Sequence, residues 1–149
     1  MSIVMIRGPE DPDPEHAWRP IPEAVYTALS QCAANAGQAL LVYSCGSEDE
    51  LIERVRKTRR GNADIVLLDP GHCARASDRL RETLTQLEVP YIEVHDDQYG
   101  AMEPVISPRS GPLVAVVNGY AAQSYTLAMW VALEQIGCAD CANDIHVGT

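Results

Sequence analysis

The sequence predicts one open α/β domain, and three observations carry that prediction. Short apolar runs of strand length recur at residues 3–6, 39–43, 63–68, 91–94 and 113–117. Segments whose apolar residues repeat at helical spacing follow most of them. A chain of 149 residues that is 46% hydrophobic and 21% charged can bury one core and is too apolar for disorder. Strands alternating with helices close by right-handed crossovers into a parallel sheet covered on both faces. The simplest such arrangement is a flavodoxin-like three-layer sandwich with a five-stranded parallel sheet in the order 2-1-3-4-5.

The elements follow in order. Residues 3–6 form a first strand stopped by Arg7-Gly8-Pro9. Residues 9–22, rich in proline and acids, read as a loop of lid type. A helix over 23–36 is marked by Val25, Leu29, Cys32, Ala33 and Ala36, with Gly37 as its terminator. After the second strand, Ser47 and Glu50 match a capping box, and Leu51, Ile52 and Val55 supply the apolar face of the next helix. The third strand is apolar throughout, as strands covered on both faces are, and runs into Asp69-Pro70-Gly71-His72-Cys73. Leu80, Leu84 and Leu87 mark a helix over 77–87. The fourth strand ends in Glu93-Val94-His95-Asp96-Asp97, and residues 96–112 read as irregular. The fifth reads as a fully buried strand, turned by Asn118-Gly119 into a last helix over about 121–136, with a tail over 137–149.

The formal net charge of -10 argues against nucleic acid or anionic membrane as partner, because phosphate binding needs clustered Lys and Arg. The basic cluster over 54–60 falls at a helix end, where the macrodipole favours it. No segment resembles a signal peptide or membrane span, so a cytoplasmic protein is expected. Five scattered cysteines predict reduced thiols rather than a disulfide framework. Cys138 and Cys141 form a lone CxxC near His146, and no second pair completes a tetrahedral zinc site. No cofactor or metal is expected.

In open α/β folds ligands bind beyond the carboxyl ends of the strands, which makes the strand tips the candidate site. His95 is the candidate acid or base, with Glu93 two residues back on the same face to orient it. The bland alternative is a hydrogen-bonded structural histidine. Cys45 and Cys73 follow strands and are candidate thiolates, although small buried cysteines are commoner. Glu10, Asp69, Asp96 and Asp97 would share the crevice at the switch point, as a clamp on a cation or as solvated turn residues. There is no GxSxG elbow and no Gly-rich phosphate loop.

Taken together, Gly8-Pro9, Asp69-Pro70-Gly71, Glu93-Val94-His95 and the closing 119–125 segment resemble type II 3-dehydroquinate dehydratases, along essentially the whole chain from Ile3 to about Ile136. The resemblance implies a flavodoxin-like subunit that assembles into trimers or a dodecamer. It implies that His95 protonates a departing hydroxyl and that Glu93 orients it. In that family a lid tyrosine activated by an arginine removes the proton next to the ketone. This chain has no tyrosine between Met1 and Pro22, and Trp18 and Arg19 are the nearest substitutes. Where the family has Asn-Gly-Pro-Asn this chain has Arg7-Gly8-Pro9-Glu10, and the enolate-site asparagine is replaced by Asp69. Arg75 aligns with a family histidine, and Asp96 and Asp97 stand where the substrate carboxylate is held.

Two readings follow. The first is an enzyme built on the dehydratase scaffold for another small-molecule substrate, cationic or neutral, with His95, Glu93 and Asp69 as catalytic groups. Glu10, Trp18, Arg19, Cys73, Arg75, Asp96 and Asp97 would line its pocket. The second is a non-catalytic paralogue whose crevice or oligomer serves binding; a genuine dehydratase with an atypical lid is a further alternative.

Overall fold

The computed structural model describes residues 2–9, 21–71, 73, 78–95, 111–117 and 123–140. Five strands, β1 (Ser2–Arg7), β2 (Ala39–Ser44), β3 (Ile65–Asp69), β4 (Tyr91–Val94) and β5 (Leu113–Val117), form one sheet in the order β2-β1-β3-β4-β5. Every pairing is parallel, as the alternating pattern required. Helices α1 (Glu23–Asn35), α2 (Glu48–Lys57), α3 (Asp78–Thr85) and α4 (Gln123–Asp140) cover its faces.

Strand alternation divides the core in two, because neighbouring residues of a strand point to opposite faces. Val4, Ile6, Val66, Leu68 and Tyr91 pack with Leu51, Ile52 and Val55 of α2 and Leu80 and Leu84 of α3. Ile3, Met5, Ile65, Leu67, Ile92 and Val94 pack with Leu29 and Ala33 of α1 and Tyr125, Ala128, Met129 and Ala132 of α4. Each fully buried aliphatic side chain contributes roughly 1.5–3 kcal/mol of transfer free energy, which is why the three central strands read so clearly.

The local signals of α2 act as expected. Ser47 Oγ accepts from the Glu50 N–H at 3.2 Å, and Glu50 Oε2 accepts from the Gly46 N–H at 3.1 Å. Acids occupy the first turn and Arg54, Arg56 and Lys57 the last, matching the helix dipole. Arg54 also lies over the Tyr43 ring of β2, 3.9 Å from its centroid.

Two expectations change. The third strand begins at Ile65 rather than Ala63 and includes Asp69, because β1 and β3 pair in register up to Arg7 opposite Asp69. The fifth strand is not fully buried: at the edge of the sheet, where the expected strand order puts it, it is half-covered along its length, with Val116 exposed. An apolar run cannot distinguish a central strand from an edge strand.

Candidate active site

The carboxyl ends of β1, β3 and β4 lie side by side and, among the described residues, carry the buried charge of the central sheet. On β4, Glu93 has the parity of Tyr91 and pairs in register with Leu68, so it faces the α2/α3 layer. Its side chain is fully buried. The backbone ladder continues one residue further, with the His95 N–H donating to the Val117 carbonyl at 2.9 Å. His95 thereby turns back over Glu93, and its Nε2 lies 2.6 Å from Glu93 Oε2. The histidine side chain retains 12% exposure. A fully buried carboxylate holding a partly exposed imidazole selects the tautomer with the proton on Nε2. Glu93 also acts on the residue beneath it: burial, and then the Glu93 charge, push the Tyr91 phenol well above its ordinary range.

On β1 and β3 the parity is the other one. Arg7 and Asp69 follow Met5 and Leu67, so both face the α1/α4 layer. There they meet Tyr125 from α4. Arg7 Nε donates to the Tyr125 hydroxyl at 3.0 Å, and that hydroxyl donates to Asp69 Oδ2 at 2.5 Å. The second carboxylate oxygen, Oδ1, accepts from the Gly71 N–H at 3.0 Å. All three side chains are buried, with exposures of 4% for Arg7, 6% for Asp69 and 1% for Tyr125. Burying opposite charges costs little only when they are joined by hydrogen bonds, and the tyrosine hydroxyl joins them here by donating to one and accepting from the other.

The turns that follow β1 and β3 touch backbone to backbone. The Gly8 N–H donates to the Asp69 carbonyl at 2.6 Å. A Cβ on Gly8 would stand 2.5 Å from the Pro70 carbonyl oxygen, and one on Gly71, whose φ is +60°, would meet the Pro9 carbonyl. Glycine at both positions is therefore a requirement of the close approach. This seam is the switch point of the sheet, where β1 leads outward to β2 and β3 leads to β4.

Of the residues singled out from the sequence, His95, Glu93 and Asp69 do come to adjacent strand tips. Asp69, however, lies on the opposite face of the sheet from Glu93, with both carboxylate oxygens already engaged. Cys73 is buried in the α2/α3 core and, like Cys45, has its thiol pushed up to about 11, chiefly by burial. Neither thiol is activated as a nucleophile needs to be. Glu10, Trp18, Arg19, Arg75, Asp96 and Asp97 lie outside the described residues, as do the lid, the 96–110 loop and the tail with Cys141 and His146. Among the described residues no three His, Cys, Asp or Glu side chains gather as metal ligands would. A cleft of about 650 Å³ between β2 and α2 includes neither His95 nor Asp69. Its charges are already engaged: Arg54 on Tyr43, Lys57 with Glu53 and Glu50 at the helix cap.

Sequence reasoning did not single out Arg7 for the site, nor Tyr125. The available signal was an arginine ending an otherwise apolar strand, which needs a buried partner. That partner is 118 residues away.

Fold and site together define a flavodoxin-like α/β protein with a carboxylate-held histidine at the β4 tip. The chain belongs to the family described as dehydroquinase class II, whose model matches residues 16–133. It is similar to the 3-dehydroquinate dehydratase of Stutzerimonas stutzeri, 36% identical over 113 residues that cover 74% of this chain and 77% of that one. The 3-dehydroquinate dehydratase of Hahella chejuensis is 29% identical over 142 residues, covering 91% and 97% of the two chains. Among solved structures, the type II dehydroquinase of Propionibacterium acnes has the same fold, with a TM-score of 0.69, 17% identity and coverage of 89% of this chain and 98% of that one. A 3-dehydroquinate dehydratase-like protein from Bifidobacterium longum aligns with a TM-score of 0.67 at 16% identity, covering 91% and 98%. No described helix is long and apolar enough to cross a membrane.

Proposed function

We propose that the chain is a lyase of the dehydroquinase type whose specificity has moved away from 3-dehydroquinate. The observation that carries the chemistry is the 2.6 Å contact between His95 Nε2 and the buried Glu93 carboxylate. With Nε2 held by Glu93, proton exchange with a substrate falls to Nδ1. His95 gives a proton to a departing hydroxyl, which leaves as water; a base removes a proton from the neighbouring carbon, and the C–H electron pair becomes the new double bond. Glu93 keeps the ring in place and stabilises its protonated form.

The observation that favours a shifted specificity is Asp69. Where the resemblance places a neutral asparagine, this chain has a carboxylate fixed by Tyr125 and Gly71. Two like charges ~4 Å apart repel by roughly 1–4 kcal/mol between bulk water and an effective surface dielectric. Arg7, joined to Asp69 through the Tyr125 hydroxyl, offsets part of that repulsion, so an enolate at the β3 tip would meet a fraction of that cost and would lack the amide donor that an asparagine offers. The strength of the likeness to proteins named 3-dehydroquinate dehydratase favours the second reading, a dehydratase that tolerates the change.

Purified protein assayed with 3-dehydroquinate, by the absorbance of the enone product, separates the two. Slow turnover that falls further in His95→Ala is the expected result. Turnover at an ordinary enzymatic rate would replace the shifted-specificity reading with the second one, and residual turnover indifferent to His95→Ala would remove His95 from the chemistry.

A further inference from the structure

The Arg7–Tyr125–Asp69 chain is buried, spans both sides of the switch point and has no part in the proton transfer described above. We propose that Arg7 and Tyr125 are positioning residues: together they fix the Asp69 carboxylate, and through it the β3 turn, so that the floor of the crevice beside His95 is set from the opposite face of the sheet.

Four observations carry this. Asp69 Oδ2 takes the Tyr125 proton and Oδ1 takes the Gly71 N–H, so the carboxylate ties α4 to the first residues of the β3 turn. Arg7 Nε donates to the same hydroxyl, which directs the tyrosine proton toward Asp69 rather than toward another acceptor. The Arg7 guanidinium also lies over the Tyr125 ring, 5.7 Å from its centroid, within cation–π range. Finally, the Gly8 N–H on the Asp69 carbonyl and the glycine contacts with Pro9 and Pro70 leave the two turns no room to shift separately. A movement of Asp69 is therefore a movement of both turns. The arrangement is a charge-balanced unit: Arg7 and Asp69 are opposite in sign, pair in register across β1 and β3, and share one hydroxyl. Losing one charge should harm the site more than losing both.

This inference rests on the strand tips being the active site, but its decisive test does not need a substrate. Amide hydrogen exchange is measured in the whole chain for wild type, Tyr125→Phe, Arg7→Asn, Asp69→Asn and the Arg7→Asn/Asp69→Asn double variant. Tyr125→Phe keeps the ring in the core and removes only the shared hydroxyl. Exchange at Gly71 should rise tenfold or more in Tyr125→Phe and in Arg7→Asn, while Val66, whose N–H donates to Pro90, stays within twofold. In Asp69→Asn the amide keeps an acceptor for Gly71 but leaves the buried Arg7 charge without that of Asp69, so Gly71 should again rise tenfold or more, whereas in the double variant both charges are gone and Gly71 should return to within threefold of wild type. An unchanged Gly71 in Tyr125→Phe, or a rise shared equally by Val66, would overturn the proposal. A second arm uses 3-dehydroquinate: Tyr125→Phe should lower kcat tenfold with KM within twofold, and a change in KM alone would reassign the triad to binding. Absence of any 3-dehydroquinate turnover in wild type is what a fully shifted specificity would give, and it leaves the exchange result to decide this inference.

Discussion

Two neighbouring strand tips bury ionised side chains by different means. At the β4 tip, one carboxylate is fully enclosed and its histidine partner is left partly open, with local chain geometry doing the joining: Glu93 and His95 are two residues apart on one strand. At the β1 and β3 tips, an arginine and an aspartate are both enclosed, and the group that joins them arrives on a helix, 118 residues after the first and 56 after the second. The first arrangement leaves a titratable ring at the surface and suits proton exchange. The second leaves no titratable group at the surface and suits rigidity. Because the two lie on opposite faces of the same sheet edge, the proposed action of one on the other runs through the backbone of the β3 turn.

That difference can be broken in order of expected effect. His95→Ala should lower whatever elimination rate the protein shows by about 10²–10⁴-fold, the usual contribution of a positioned general acid. Steady-state kinetics check it, and an equal loss from Tyr125→Phe would mean that the two tips are one functional unit. Gly71→Ala attacks the seam between the tips, forcing a Cβ onto a φ of +60° and against the Pro9 carbonyl. We expect a loss of roughly 3 kcal/mol or more in a denaturant melt; a loss under about 1 kcal/mol would show that the turns can separate. Tyr125→Phe should cost about 1–3 kcal/mol of stability, the penalty for leaving buried polar groups short of a bond. Glu93→Gln, which keeps a hydrogen-bonding side chain, should cost less stability and more activity than Tyr125→Phe.

The smallest effect is a pH dependence confined to the α2/α3 face. The Cys45 and Cys73 thiols rise from an ordinary 9.0 to about 11 through burial, and Tyr91 on the same face is pushed up as well. A raised pKa means that the folded state holds its protons while the unfolded chain has begun to release them. The associated stability is complete below pH 9 and is lost as pH rises from about 9 to 11. Melts across that range should show a decline that is shallower in Cys45→Ala/Cys73→Ala. An undiminished slope in that variant would assign the decline to Tyr91 rather than to the two thiols.

Much of this was legible from residue order. The apolar runs of β1, β3 and β4 announced central strands because both faces of each are covered, and the Ser47 capping box announced α2 because its hydrogen bonds are local. Glu93 and His95 could be paired for the same reason, since period-two alternation puts residues two apart on one face. Other features were not legible. Val114 and Val117 look as apolar as any central strand, and the expected strand order already put β5 at an edge, but how far it is left uncovered depends on tertiary packing. Asp69 was grouped with His95 from its place at a strand tip, but the face it points to depends on strand register. That register, Arg7 opposite Asp69, turns it toward α4.

The sequence by itself determined the class of fold, the edge of the sheet where chemistry sits and the Glu93–His95 pair, all set by interactions between residues near in the chain. Only the tertiary structure decided that Arg7, Asp69 and Tyr125 form one unit, and that the two sets of buried charge face opposite layers. A buried charge must find a partner, but only the packing of a distant helix decides which residue it finds.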